Sequence, residues 1–308
     1  MSWKRLGLLV EANPNLPWSY HYASIPTAYQ LNNEVVRVLY YSMDESYNGR
    51  ISYIDVNAKN PSEILVRSEA VILDLGEPGM FDDCGVCPLQ TIVINQERYL
   101  YYLGVQRVEK VPYLYFCGLA KWNESKHIFE RVQHTPVLER THEEPHIRSA
   151  VTLLPMENGF EMWYVGASDW VEVNGKQVPT YRIHRAESED GKNWNVTHKN
   201  CISFQNDDEF GFGRPWVMKA KQGYEMYYSI RSRSKGYRLG YAQSVDGITW
   251  ERKDESLGFD VGTALWENES VCYPCVMDID DKRYMFYNGN GNGRTGFGLA
   301  VWEDENEG

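Results

Sequence analysis

Apolar residues in this chain alternate with polar ones in short runs, and they almost nowhere recur at the three-to-four spacing of a helix. The runs RVLYYS, RYLYYLG, FEMWYVG, YEMYYSI and RYMFYNG read as strands ending on an aromatic pair. The second aromatic falls at residues 41, 102, 164, 228 and 287, so the intervals are 61, 62, 64 and 59 residues. Some 13 to 15 residues before each lies an anchor: Pro26, Pro88, Ala150, Pro215 and Pro274. A third strand-like stretch follows each pair: RISYID, FCGLAK, YRIHRAES, YRLGYAQS and TGFGLAVW.

Self-similarity at a fixed period marks a repeat architecture, and radial repetition of small antiparallel sheets is a propeller. The pattern predicts an all-β chain, a single domain over residues 1–308, built as a five-bladed β-propeller with first, inner strands at the anchors. The fifth unit stops at AVWEDENEG without an outer hairpin. The N-terminal stretch WKRLGLLV, within residues 3–10, is expected to supply that missing outer strand and close the ring. The duplicated AESEDGKNW (186–194) and AQSVDGITW (242–250) read as outer turns. In each, Asp190 or Asp246 accepts bonds from its own turn and Gly191 or Gly247 supplies a positive φ. Trp194 or Trp250 is expected to pack into the neighbouring unit.

Composition sharpens this. The 22 Tyr and 10 Trp suit pleated, half-buried surfaces and also line carbohydrate sites. A net charge of -12 argues against nucleic acid or an anionic membrane as partner, because both need a basic face. No segment approaches the roughly 20 apolar residues of a membrane span, and the Leu6–Val10 run is shorter than a secretory core, so a cytoplasmic protein is expected. The pairs Cys84/Cys87 and Cys272/Cys275 sit in strand-like stretches, where residues three apart face opposite sides. Buried reduced thiols are expected there, with no metal and no cofactor. Nothing in the sequence sets an oligomeric state.

In a propeller the segments just before the inner strands converge on one funnel. SYHYASIP brings His21, FDDCGVCP brings Asp83, and EEPHIRSA brings Glu144, His146 and Arg148. DDEFGFGRP adds Glu209 and Arg214, ENESVCYP adds Glu269 and Tyr273, and the Asn-Gly-rich YNGNGNGRTGFG adds Asn290 and Arg294. Asp83, Glu144 and Glu269 are the expected catalytic acids, since glycosidic chemistry needs one group to protonate the leaving oxygen and another to supply the nucleophile. His21, His146, Arg148, Arg214, Tyr273, Asn290 and Arg294 are the expected substrate-binding set. A guanidinium inside an apolar strand calls for a carboxylate or phosphate partner.

With these motifs the chain resembles the five-bladed propeller glycosidases: arabinanases, β-xylosidases, invertases, levansucrases and mannoside phosphorylases. GEPGMFDDCGVCP, GRPWVM, YRLGYAQSVDGITW and YNGNGNGRTGFGLA are similar, more closely, to a bacterial glycosidase-like group that accompanies surface-polysaccharide pathways. The resemblance covers essentially residues 1–305 and implies a glycoside hydrolase-like enzyme working by carboxylate acid/base chemistry in an axial funnel. It also brings the axial-channel ion of some arabinanase-like proteins, although no ligand spacing here demands one. One departure matters: arabinanase-like and invertase-like members carry an Asp beside the first inner-strand Pro, where this chain has Ile25. Mannoside phosphorylases use a single acid and bind phosphate through basic residues, and Arg148, Arg214 and Arg294 resemble that pattern. Two rivals therefore stand beside hydrolysis. One is an enzyme for phosphorylated or nucleotide-linked sugars whose arginines clamp phosphate; the other is a non-catalytic carbohydrate-binding propeller.

Overall fold

The structure is a computed structural model describing residues 2–167 and 169–303, so the outermost positions of the expected 1–308 domain lie outside the described residues. The chain opens with β1 (Ser2–Val10) and then runs through β2 (His21–Gln30), β3 (Val35–Met43), β4 (Gly49–Asn57) and β5 (Asn60–Arg67). Next come β6 (Gly85–Ile94), β7 (Glu97–Gln106), β8 (Leu114–Asn123) and β9 (Ile128–Arg131). A third antiparallel series, β10 (Ile147–Met156), β11 (Gly159–Ala167), β14 (Arg182–Ser188) and β15 (Asn195–His198), is interrupted by a small hairpin, β12 (Trp170–Val173) with β13 (Lys176–Pro179). The fourth is β16 (Glu209–Lys219), β17 (Tyr224–Ser232), β18 (Arg238–Ser244) and β19 (Glu251–Arg252). The last strands are β20 (Cys272–Ile279), β21 (Lys282–Asn288) and β22 (Phe297–Glu303), and β1 pairs antiparallel with β22 from Ser2↔Glu303 to Val10↔Phe297. The N-terminal strand is thus the outer strand of the C-terminal sheet, as the missing hairpin led one to expect.

The anchors all lie on the first strands, β2, β6, β10, β16 and β20. These strands pack on one another in sequence, β2 on β6, β6 on β10, β10 on β16, β16 on β20, and β20 back on β2. Side-chain bonds sew the seams: Thr27 Oγ1 to the Pro88 carbonyl, Gln90 to Thr152 and the Leu153 backbone, and Trp216 Nε1 to the Val276 carbonyl. The two A-x-S-x-D-G-x-x-W turns behave as read. The Gly191 carbonyl accepts the Tyr101 hydroxyl and the Gly247 carbonyl accepts Trp163 Nε1 at 2.9 Å, so each turn docks on the preceding unit's aromatic pair. Trp194 meets Tyr101, and Trp250 meets Trp163, edge to face.

Four first strands share one irregularity. The register shifts between Ser24 and Thr27, Ser149 and Thr152, Gly213 and Trp216, and Cys272 and Cys275. Inside each shift one residue has a positive φ: Ile25 (52°), Ala150 (51°), Arg214 (39°) and Tyr273 (56°). A bulge re-aims the side chain that carries it, and all four of these side chains line the same cavity. By this register Ala150 matches Ile25, and Val151 takes the proline place. The anchor read at Ala150 is therefore one residue early.

Candidate functional site

The cavity these bulges face has a volume of about 380 Å³ and draws its walls from every first strand. Its chemistry is arginine and tyrosine. Arg214 is 2 % exposed and donates to the Tyr273 carbonyl (2.9 Å), the Pro26 carbonyl (2.7 Å) and Thr27 Oγ1 (2.7 Å). Its Nε has no partner. Arg231, also buried, donates to the Pro179 carbonyl (2.9 Å) and lies against the rings of Tyr181 and Tyr237. Carbonyls and a hydroxyl satisfy guanidinium donors without cancelling their charge. Burial brings the Arg214 guanidinium down to about 10, which leaves it charged at neutral pH. Burial also pushes the Tyr237 phenol up to about 12 and those of Tyr115, Tyr181 and Tyr273 well above their ordinary value, so these hydroxyls stay protonated and able to donate. Among the described lining residues there is no Asp and no Glu.

Of the ten residues expected to be catalytic or substrate-binding, Arg214 and Tyr273 line this cavity and the other eight do not. Asp83 caps its own loop, accepting from the Gly79 amide at 2.8 Å. Glu269 is solvent-exposed; its backbone amide donates to Asn290 Oδ1. Glu144 is buried and holds the Tyr164 hydroxyl at 2.7 Å and Arg148 Nε at 3.1 Å. His146 packs edge to face against Trp170, and Asn290 braces the Leu265–Ser270 loop. Arg294 is exposed. His21 is stacked behind the rim residue Tyr47, with centroids 4.2 Å apart.

The recurrence of acids before the anchors has a structural explanation. Asp82, Glu144 and Glu267 each accept the hydroxyl of the tyrosine 20 residues later, Tyr102, Tyr164 and Tyr287, at 2.7–2.9 Å. Each also meets an arginine: Arg131, Arg148 and Arg5. In the fourth series Asp254 takes the Tyr228 hydroxyl and Arg252, and Arg252 also binds Glu209 through two nitrogens. The Asp82, Glu144 and Glu267 latches fix the second strand of a unit to the loop before its first, whereas Asp254 follows the last strand of its series. The latching acids are Asp82 and Glu267, neighbours of the expected Asp83 and Glu269.

The sequence reading drew its candidates from the approaches to the first strands and from one Asn-Gly-rich loop, and so missed Arg231, which lies on β17 after the aromatic pair, and Tyr237. It also missed Tyr47 and Arg107 at the cavity's edge, and took Asn292 only as part of an Asn-Gly-rich hairpin. The run YSIRSRS, a strand ending in two arginines, was the available signal for Arg231. Among the described residues no group of three His, Cys, Asp or Glu side chains is placed to hold a metal ion, and all six cysteines are free. No described helix is long and apolar enough to cross a membrane.

Comparison with known proteins gives two kinds of likeness. The chain is 31% identical over 304 residues, 99% of its length, to the whole of the uncharacterized protein Rv1502 of Mycobacterium tuberculosis. No family model matches the sequence. Among solved structures, a glycosyl hydrolase from Bacteroides ovatus superposes with a TM-score of 0.76 at 14% identity, covering 99% of this chain and 94% of that one. A structure from work on the GH130 family of mannoside phosphorylases, and its glycoside hydrolases that target β-1,2 mannosidic linkages in Candida mannan, gives 0.75 at 14% identity over 99% and 94%. The fold is therefore that of the propeller glycosidases.

Proposed function

The chain belongs to one family with Mycobacterium tuberculosis Rv1502 and carries the propeller glycosidase fold, and on that premise we propose that it is a carbohydrate-active enzyme for sugars bearing a phosphoryl group. The ring of first strands then makes five blades, with β1 closing the fifth, and the bulge-lined cavity is the axial funnel. The observation that carries this reading is Arg214: a buried guanidinium in the cavity wall whose donors meet only neutral acceptors. A buried charge without a counter-charge is costly, and an anionic ligand supplies one.

The same chemistry accounts for a cavity lined by arginines and phenols. An alkoxide leaving group must be protonated, which is why glycosidases need a carboxylic acid. A phosphate leaves as an anion, and preorganised guanidinium groups stabilise the charge as it develops. When the C1–O bond to phosphate breaks, the electron pair stays on the phosphate oxygen beside Arg214 and Arg231. An incoming hydroxyl or water oxygen attacks C1, and its proton passes to solvent or phosphate. With a sugar hydroxyl as the incoming group, the reverse direction is phosphorolysis: a phosphate oxygen attacks C1, the glycosidic C1–O bond breaks, and the phosphate's own proton passes to the departing oxygen. Asp83 caps a loop, Glu144 closes a latch and Glu269 is exposed, so this reading gives none of the three a part in the transfer.

The test is a thermal-shift and turnover panel of hexose 1-phosphates, nucleotide sugars, inorganic phosphate, neutral oligosaccharides and aryl glycosides. A ligand at 100 times its Kd stabilises by about 2.7 kcal/mol. Phosphorylated sugars are expected to raise the melting midpoint and inorganic phosphate to compete with them. Stabilisation by neutral sugars alone, indifferent to phosphate, would overturn the proposal.

A further inference from the structure

The rim of the cavity holds a second recognition element. Tyr47 is on the tight β3–β4 turn, where Asp44 Oδ1 accepts the Ser46 and Asn48 amides at 2.9 Å. The turn holds Tyr47 at φ 64°, a left-handed conformation that a bulky residue rarely adopts. Arg107, at the end of β7, ties the turn down by donating to the Tyr47 carbonyl at 2.5 Å and the Ser46 carbonyl at 3.1 Å. The Tyr47 ring lies parallel to the His21 imidazole, 9° between planes, and is still 52 % exposed, as suits an aromatic ring with one face covered. Two sequence elements from different units thus hold an aromatic plate at the mouth, next to an exposed guanidinium. Strained backbone that the surroundings enforce is a mark of functional positions.

Asn292 also reaches the cavity, from the β21–β22 loop and likewise at positive φ (61°). Its carbonyl accepts Ser24 Oγ at 2.7 Å, and the buried Asn288 and Asn290 side chains pin the loop around it. The mouth is therefore as preorganised as the interior.

We propose that Tyr47, backed by His21, is the stacking platform for the base of a nucleotide-linked sugar whose phosphates run from Arg107 at the rim to Arg214 and Arg231 inside. This rests on the phosphoryl-sugar reading and narrows it: an aromatic plate can take a sugar face or a base, and the guanidinium of Arg107 beside it favours a base that carries its own phosphates. Stacking on an aromatic side chain accepts any base, because every base has a π face. Arg107 then meets the outer phosphate by a charge-assisted hydrogen bond.

Calorimetric titration of the wild-type protein with UDP-glucose, GDP-mannose, glucose 1-phosphate and inorganic phosphate tests this. Tyr47→Ala and Tyr47→Phe are titrated alongside after their melting midpoints show that they fold. At least one nucleotide sugar is expected to bind tenfold or more tighter than glucose 1-phosphate. Tyr47→Ala should collapse that preference by roughly 5- to 150-fold, the range of one base–aromatic stack, and Tyr47→Phe should keep it. Equal binding of nucleotide sugar and hexose phosphate, or a preference untouched by Tyr47→Ala, overturns the platform while leaving the phosphoryl-sugar site standing. Failure of every phosphorylated ligand to bind overturns both.

Discussion

Arg148 and Arg214 are alike in the sequence, each a guanidinium within a strand of mostly apolar neighbours, yet the fold gives them different partners. Arg148 lies against the buried carboxylate of Glu144, and its ring neighbour Tyr164 donates to the same carboxylate. Arg214 meets carbonyls and a threonine. Burial raises the Glu144 carboxyl above its ordinary value, and the Tyr164 hydrogen bond and Arg148 work against that rise. A raised carboxyl is what a general acid would show, so the latch assignment needs its own test. Glu144→Gln leaves Arg148 buried without a counter-charge, and removing one partner of a buried pair costs about 3–5 kcal/mol. The expected outcome is a clearly lower melting midpoint with unchanged affinity for the cavity's ligand. A variant of full stability but no activity would return Glu144 to the catalytic role.

At the scale of elements, the sequence was legible wherever one residue type had one physical job. The aromatic pairs mark second strands because the first member docks on a neighbouring turn and the second closes a latch, as Tyr101 and Tyr102 show. The S-x-D-G turns were legible because a serine, an aspartate and a glycine are each required by local geometry. Backbone amides and Ser188 hold the Asp190 carboxyl well below its ordinary value, and the Thr249 and Ile248 amides lower that of Asp246. A depressed carboxyl contributes stability that is present above its unfolded value, 3.8 for both, and is lost as pH falls through the folded value. Acid unfolding followed by circular dichroism should accordingly be less steep below pH 3.8 in a D190N/D246N double variant than in the wild type; identical acid profiles would contradict the linkage. The site was much less legible. A carboxylate facing a latch and one facing a substrate look the same as letters, and adjacent acids such as Asp82 and Asp83 differ only in which way the loop turns. The tyrosines of the cavity come from loops and second strands as well as first strands, and no spacing rule gathers them.

For the molecule as a whole, the repeat places five bulge-bearing strands around one cavity, and four of the five carry a positive-φ residue that faces it. Bulges of this kind let a unit contribute one side chain without disturbing the sheet behind it, and the places they set hold Ile25, Ala150, Arg214 and Tyr273. An arabinanase-like enzyme has an aspartate beside the first anchor; this chain has Ile25 there and a guanidinium in the fourth unit. On the proposed reading the cavity is built around the charge of Arg214 and Arg231. The most direct measurement is a crystal structure of the wild-type protein with a hexose 1-phosphate or nucleotide sugar. The account predicts phosphate density against the guanidinium groups of Arg214 and Arg231, with the sugar among the surrounding tyrosines. A sugar bound instead between Asp83, Glu144 and Glu269, or a phosphate held anywhere but at those two arginines, would contradict it.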